Sequence, residues 1–343
     1  MNAVKFLTLA AALLLATSNV ASAADKDVPP LELVQTIAFK GVDGTLDHLA
    51  VDAKGGRLFV ANKANNTLDV VDLKAGKLLR QIPDQGKVSG VSFNAELDMV
   101  YVGNGAGVCN GIDAKEYKVV FSTPCEKADN VYYHSGNKMV YVQHGETVSV
   151  LDAKTGEVKA TIAVGGPVKE FRVDKKANKL FINVGKPNCI AVIDLVKNEV
   201  AARFPLTMTD SNGPLAYDNK AGLLFVGCGG KKPMIIAVDA KSGKELANVE
   251  IPAGIDNLHF DSKRNRLYAS CGDGAVAVVE KKDDKYVVIA NVATPKKSKT
   301  SIFNGGLDRL FVAVPKQEGK DGPEVRVYEA KPKIEAAPAT PKP

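Results

Sequence analysis

Apolar residues fall along this chain in short runs cut by turn signals, and the stretch from Thr45 to Pro83 shows the pattern in full. It reads TLDHLAVDAKGGRLFVANKANNTLDVVDLKAGKLLRQIP. Leu49 to Val51 ends at Asp52 and is turned by AKGG. Leu58 to Ala61 follows, then Leu68 to Val71 ending at Asp72 before KAG, then Leu78 to Ile82. Four such runs joined by tight turns predict one antiparallel meander. The second run carries an aromatic, Phe59, which returns as Tyr101, Tyr141, Phe181, Phe225, Tyr268 and Phe311, at intervals of 42, 40, 40, 44, 43 and 43 residues. Seven units at this period predict a propeller rather than stacked helices. One meander cannot bury both its faces, whereas seven around an axis can. The expected fold is all-β: a seven-bladed β-propeller of four-stranded antiparallel blades.

The two ends of the repeat array complete each other. Leu31 to Phe39 (LELVQTIAF) reads as a strand ahead of the first repeat, while the seventh repeat supplies three runs, Ser301 to Asn304, Leu310 to Val314 and Glu324 to Ala330. An N-terminal strand in the missing outer position closes the ring and removes an open sheet edge. The propeller then spans 31–330. Residues 24–30 (ADKDVPP) read as a linker and 331–343 (KPKIEAAPATPKP) as a disordered Pro/Ala/Lys tail. Residues 1–23 read as a signal peptide: Lys5, the apolar run Phe6 to Ala16, and the small-residue site Ala21-Ser22-Ala23. The run is short for a membrane-spanning helix, and no Cys follows to take a lipid. The expectation is a periplasmic or secreted protein, without a membrane anchor once the signal is cleaved.

Composition narrows the partners. The net charge of +6 includes Lys5, and lysines such as Lys54, Lys74, Lys154, Lys220 and Lys241 are spread through the hairpin turns. Spread charge of this kind keeps a surface soluble; a nucleic-acid groove needs clustered cations with interleaved aromatics, so no nucleic-acid partner is expected. The five cysteines are Cys109, Cys125, Cys189, Cys228 and Cys271. The odd count leaves at least one unpaired within the chain. Cys109 and Cys125 share a repeat and are the best placed to bridge. No CxxC or CxxCH occurs, which excludes covalent haem and a thioredoxin-type site. No other cofactor is named by the sequence.

The FVAN and YVGN runs at 59–62 and 101–104, the VxVxD-like strand that follows and the D-x-x-x-G turns resemble the YVTN-type seven-bladed propellers, commonly exported bacterial proteins. The resemblance covers about residues 31–330. It implies that the first strand of each repeat is innermost, with its start near the mouth of an axial channel. Lactone hydrolases form a related propeller family. Quinone-dependent propellers usually carry Trp-rich docking motifs, and Trp is absent here.

On that placement, the residues eleven before each marker aromatic are His48, Gly90, Asn130, Glu170, Pro214, Asn257 and Thr300. Those nine before are Ala50, Ser92, Tyr132, Arg172, Ala216, His259 and Ile302. The residues between are apolar except Ser301, so the alternation supports the alignment. A scaffold position tends to repeat its residue, whereas this set varies. His48, Asn130, Tyr132, Glu170, Arg172, Asn257 and His259 are the candidate ligand-binding residues, with Asp47, Asp129, Asp256, Lys169 and Lys299 beside them. The bland reading is a water-filled channel whose walls satisfy one another. His48 and His259 with Glu170 or Asp256 are the residue types for a metal, though no HxH or HExxH spacing occurs. The recurrent turn aspartates (Asp72, Asp113, Asp152, Asp194, Asp239) read as caps on their own turns rather than calcium ligands. His134 reads as a turn residue, and His144 as an upper-face loop residue.

Two functions fit. One is a monomeric, non-catalytic scaffold binding a small molecule, peptide or protein on its axial face. The alternative is a lactonase-like hydrolase at the channel mouth, with Glu170 or His259 as base and Arg172 holding the developing oxyanion.

Overall fold

A computed structural model describes residues 28–39 and 45–333 of the 343-residue chain. The expected signal peptide, most of the linker and residues 334–343 lie outside the described residues. The described elements are 28 strands in seven four-stranded antiparallel sheets. Blade 1 is the meander read from the sequence: Leu46–Asp52, Arg57–Asn62, Thr67–Asp72 and Lys77–Ile82. The inner strands of blades 2 to 7 are Val88–Asn94, Ala128–His134, Val168–Asp174, Asn212–Asp218, Ile255–Asp261 and Thr300–Asn304. Each meets the next in chain order and the seventh meets the first, which makes a ring.

The marker aromatics are buried between blades, and each faces the residue eight before the next marker. Phe59 stacks on Phe93 with ring centres 5.4 Å apart, Tyr101 meets Tyr133 at 6.0 Å, and Phe181 meets Tyr217 at 5.4 Å. Phe225 stacks on Phe260 at 5.7 Å and Tyr268 meets Phe303 at 5.0 Å. At the other two interfaces a valine takes the second place: Val173 against the Tyr141 cluster and Val51 against the Phe311 cluster. Buried tyrosine hydroxyls need partners. Tyr101 donates to the Ala153 carbonyl at 2.8 Å and Tyr268 to Asp261 at 2.9 Å.

Ring closure follows the expectation. Leu31–Ala38 pairs antiparallel with Glu324–Ala330, from Leu31 opposite Ala330 to Ala38 opposite Glu324, and forms the outer strand of the last blade. The described chain continues past Ala330 to residue 333. The Lys331 carbonyl accepts from Arg264 Nε at 3.0 Å and Arg266 Nη1 at 2.6 Å, and its N–H donates to Pro30. The buried Arg266 and the half-buried Arg264 of blade 6 therefore hold the chain where it leaves the ring. The turn aspartates behave as caps: Asp152 and Asp239 each accept two backbone N–H groups of their own turns.

The bridge expected between Cys109 and Cys125 is not formed; all five cysteines are buried free thiols. Cys109 and Cys125 lie in the same core cluster. Cys109 stands opposite Thr123, and Cys125 lies beyond the strand end with its N–H on the Gly107 carbonyl. Burial pushes the Cys125 thiol up to about 11, and those of Cys228 and Cys271 to about 12. These thiols stay protonated and unreactive.

Two outcomes test this account. Phe260→Ala removes one half of a buried stack and should cost about 3–5 kcal/mol in denaturant unfolding; a cost below about 1 kcal/mol contradicts a structural role for the pair. Deleting Leu31–Ala38 opens the Glu324–Ala330 edge. Gel filtration should then show increased self-association, and unchanged elution with an unchanged melting temperature contradicts the closure role.

Candidate functional site

Extended strands send alternate side chains to opposite faces. At the narrow centre of the ring one face of each inner strand therefore looks toward the axis and the following blade. His48, Asn130, Tyr132, Glu170, Arg172, Asn257 and His259 all line one axial cavity of about 420 Å³. Phe93, Phe171, Ile302 and Phe303 give it apolar walls. Above it, a mouth of about 280 Å³ is bounded by Asp129, Lys169, Asp256 and Asn212, with His48, Asn130, Glu170 and Asn257 shared between the two. Gly90 is required by a close approach: a Cβ there would stand 1.7 Å from the Asp129 carbonyl oxygen.

Several of these polar groups staple their blade to the next. Asn130 Nδ2 donates to the Lys169 carbonyl at 3.2 Å and to Gln143 Oε1 at 2.8 Å. Glu170 Oε2 accepts the Leu215 N–H at 3.0 Å, and Asn257 Oδ1 accepts the Ser301 N–H at 2.8 Å. His259 Nε2 lies 3.0 Å from Ser301 Oγ. Arg172 forms a 2.6 Å ion pair with Glu170 Oε1 and donates to the Phe171 carbonyl at 2.8 Å. Both oxygens of Glu170 are thus engaged. The groups left without hydrogen-bond partners among the described residues are the His48 imidazole, 3.8 Å from Asp47, and the Tyr132 hydroxyl, whose ring meets Phe171 edge-on at 6.2 Å.

The two channel histidines report opposite surroundings. Burial pulls His48 down, but Asp47, Asp129, Glu170 and Asp256 outweigh it and leave its pKa above the ordinary 6.5. His259 is lowered to about 3, first by burial and then by the Arg172 charge. Among the described residues no three His, Cys, Asp or Glu side chains converge as a metal site. The set weighed from the sequence, His48 and His259 with Glu170 or Asp256, is not gathered among the described residues, where Ser301 engages His259 and Arg172 engages Glu170. His134 sits in its turn, as read, accepting the Gly136 N–H at 2.9 Å, and His144 bonds Ser149 at 2.7 Å away from the channel.

Asn212 escaped notice in the sequence. It lies thirteen before its marker, where the other blades place Leu46, Val88, Ala128, Val168, Ile255 and Ser298. A buried amide among mostly apolar counterparts was the available signal.

No protein-family profile matches the chain. Over 202 residues it is 25% identical to the uncharacterized protein YncE of Salmonella typhimurium, covering 57% of this chain and 54% of that protein. The chain thus spans about half the length of that relative. The structure resembles the hydrazine synthase structure from Kuenenia stuttgartiensis, with a TM-score of 0.70 and 11% identity over 80% of this chain and 94% of that one. At that identity the likeness is one of fold. The chain is similar to β-propeller proteins, and the comparisons carry no activity with them.

The His259 environment sets a pH dependence. Its folded pKa of about 3 lies below the ordinary 6.5, so between these values the unfolded chain binds a proton that the folded chain does not. Stability therefore falls as pH falls from 6.5 toward 3, by up to about 1.4 kcal/mol per pH unit from this group. His259→Gln should flatten the unfolding free energy between pH 6.5 and 4.5, where most carboxylates remain ionised. Equal slopes in both proteins contradict the assignment.

Proposed function

We propose that this chain is an exported YVTN-type propeller that acts as a non-catalytic binding scaffold, holding a small molecule in its axial channel. The observation that carries this reading is the convergence of seven varied polar side chains from four blades on one cavity of about 420 Å³. That volume suits a small organic ligand better than a peptide or protein surface. The free His48 imidazole and Tyr132 hydroxyl are the polar groups available to orient it. Residues 1–23 would direct export, and the mature monomer would bind in the periplasm or outside the cell.

The arrangement favours binding over hydrolysis. A general base needs a free lone pair facing the substrate, and both Glu170 oxygens are engaged by Arg172 and the Leu215 N–H. Arg172 in turn spends its guanidinium on Glu170 and on backbone carbonyls. The hydrolase alternative keeps one supporting observation, that Glu170, Arg172 and His259 share the cavity.

The test is a thermal-shift screen of the mature protein against small neutral, anionic and cationic metabolites, followed by calorimetry on hits. The expected result is a ligand whose affinity falls at least tenfold in Tyr132→Phe or His48→Gln. A library with no hit, or hits indifferent to both substitutions, overturns the channel as the binding site. Lactone turnover that is lost in a folded Glu170→Gln variant would replace the binding reading with the hydrolase.

A further inference from the structure

The axial cavity and the mouth above it join at one layer of side chains. His48, Asn130, Glu170 and Asn257 line both spaces. All four occupy the same place in their repeats, eleven before the marker aromatic. At that place the other repeats have Gly90 and Pro214, which are short, and Thr300, which is buried. The four shared side chains therefore form the neck of the channel. Three of them are fixed. Asn130 donates to Gln143 and to the Lys169 carbonyl, Glu170 holds Arg172 and the Leu215 N–H, and Asn257 accepts the Ser301 N–H. His48 makes no hydrogen bond among the described residues, and its Nε2 stands 3.8 Å from Asp47 Oδ1. The width of the neck thus depends on where the His48 ring stands, and a ring carried on a single bond has staggered alternatives.

The charges around the ring give it one place to go when it carries a proton. Across the channel, Asp129 of blade 3 takes a hydroxyl from Ser89 at 2.5 Å, and Asp256 of blade 6 faces Lys299 at 3.3 Å. Glu170 of blade 4 has both oxygens engaged. Lys169 shares the rim of the mouth, and His259, in the cavity below, is neutral because burial and Arg172 lower its pKa to about 3. Asp47, on the strand of His48 itself, is the only carboxylate in ion-pair range of the ring among the described residues. Its Oδ2 is engaged by Lys63 at 3.0 Å and Ser89 at 3.2 Å, while its Oδ1, the atom that faces His48, accepts no hydrogen bond. Asp47 lies outside the lining of both spaces. An imidazolium that closes the 3.8 Å gap therefore moves toward the wall and off the neck.

From this arrangement we infer that His48 is a proton-operated gate: its imidazolium is latched on Asp47 Oδ1 and leaves the neck open, and its neutral ring is released and closes it. A charge-assisted bond is about twice as strong as a neutral one, so protonation strengthens the latch without altering the three fixed members of the neck. Burial alone would lower the pKa of His48, but Asp47, Asp129, Glu170 and Asp256 outweigh it and hold the value above 6.5. The open state therefore extends to higher pH than an isolated imidazole would allow. The inference rests on the reading of the channel as a ligand site and adds control of entry to it.

The experiment places a reporter thiol below the neck of the full mature chain. Ser92→Cys is near-isosteric and lines the cavity but not the mouth; Ile302→Cys, on the same layer of blade 7, is the second reporter. The five native thiols are buried. The rate of modification is measured at pH 5.5 and pH 9 with methyl methanethiosulfonate and the bulkier benzyl methanethiosulfonate, with His48 present and in a His48→Ala background. Ionisation of the reporter is common to both backgrounds and divides out of their ratio. With the benzyl reagent at pH 9, the His48 protein should react at least tenfold more slowly than His48→Ala. At pH 5.5 the two should agree within twofold. The methyl reagent should show a smaller difference, and Asp47→Asn should keep the His48 protein slow at both pH values. A ratio that does not change with pH overturns the gate. A change of equal size for both reagents is an effect of charge on the reporter and overturns it too. An Asp47→Asn protein with an unaltered pH response overturns the latch. None of these readings needs an identified ligand, so the gate and the channel reading fail separately.

Discussion

The structure depends on the contact between neighbouring blades. A four-stranded sheet has two apolar faces, and the described residues hold no helix to cover either, so each face must meet another sheet. The recurring solution is an aromatic on the second strand of one blade against the side chain eight residues before the next marker. Five interfaces use a second aromatic there and two use a valine. Such aromatic pairs add about 0.5–1.5 kcal/mol each beyond the area they bury. Their larger effect is positional: once each marker ring is seated, the inner strand of the following blade has one register relative to the axis.

That register explains why the channel wall is polar and why much of its polarity is spent. Side chains on the axial face also reach the next inner strand. Ser92 accepts the Tyr133 N–H at 3.0 Å, and Asn130, Glu170 and Asn257 make the corresponding contacts in their own blades. These are interblade staples as well as channel lining. Variation from blade to blade, which the sequence offers as a sign of function, is thus partly variation among different ways of bonding a neighbouring backbone. What separates a site residue from a staple is the group left over. His48 and Tyr132 each have one on the channel wall.

The fold was legible because the repeat period and the missing outer strand are properties of spacing, and spacing survives wide change in side chains. Convergence of the seven candidate residues was legible for the same reason, since equal offsets from seven markers must meet on the axis of a ring. Engagement was not. Whether Glu170 is a free base or the partner of Arg172 depends on rotamers and on the neighbouring strand, and no offset within one repeat encodes it. A shared repeat does bring Cys109 and Cys125 into one core cluster, yet both are free thiols. The partner at eight before the marker was present in the sequence but belongs to the next repeat, so it emerges only when adjacent repeats are read as a pair.

The shape of the cavity follows from residues that are small. Blade 5 places Pro214 and Ala216 where its neighbours place Glu170 and Arg172, or Asn257 and His259. With no long side chain from blade 5, the Arg172 guanidinium of blade 4 crosses in front of it and reaches the Leu258 carbonyl of blade 6 at 3.4 Å. The same sparse blade contributes Gly213 and Pro214 to the mouth, beside the buried Asn212. A blade that withdraws its side chains thus opens the mouth and lets one cation span the channel below it. In a ring of near-equivalent repeats, a site needs such an unequal member, because seven identical inner strands would present seven identical and mutually satisfied walls.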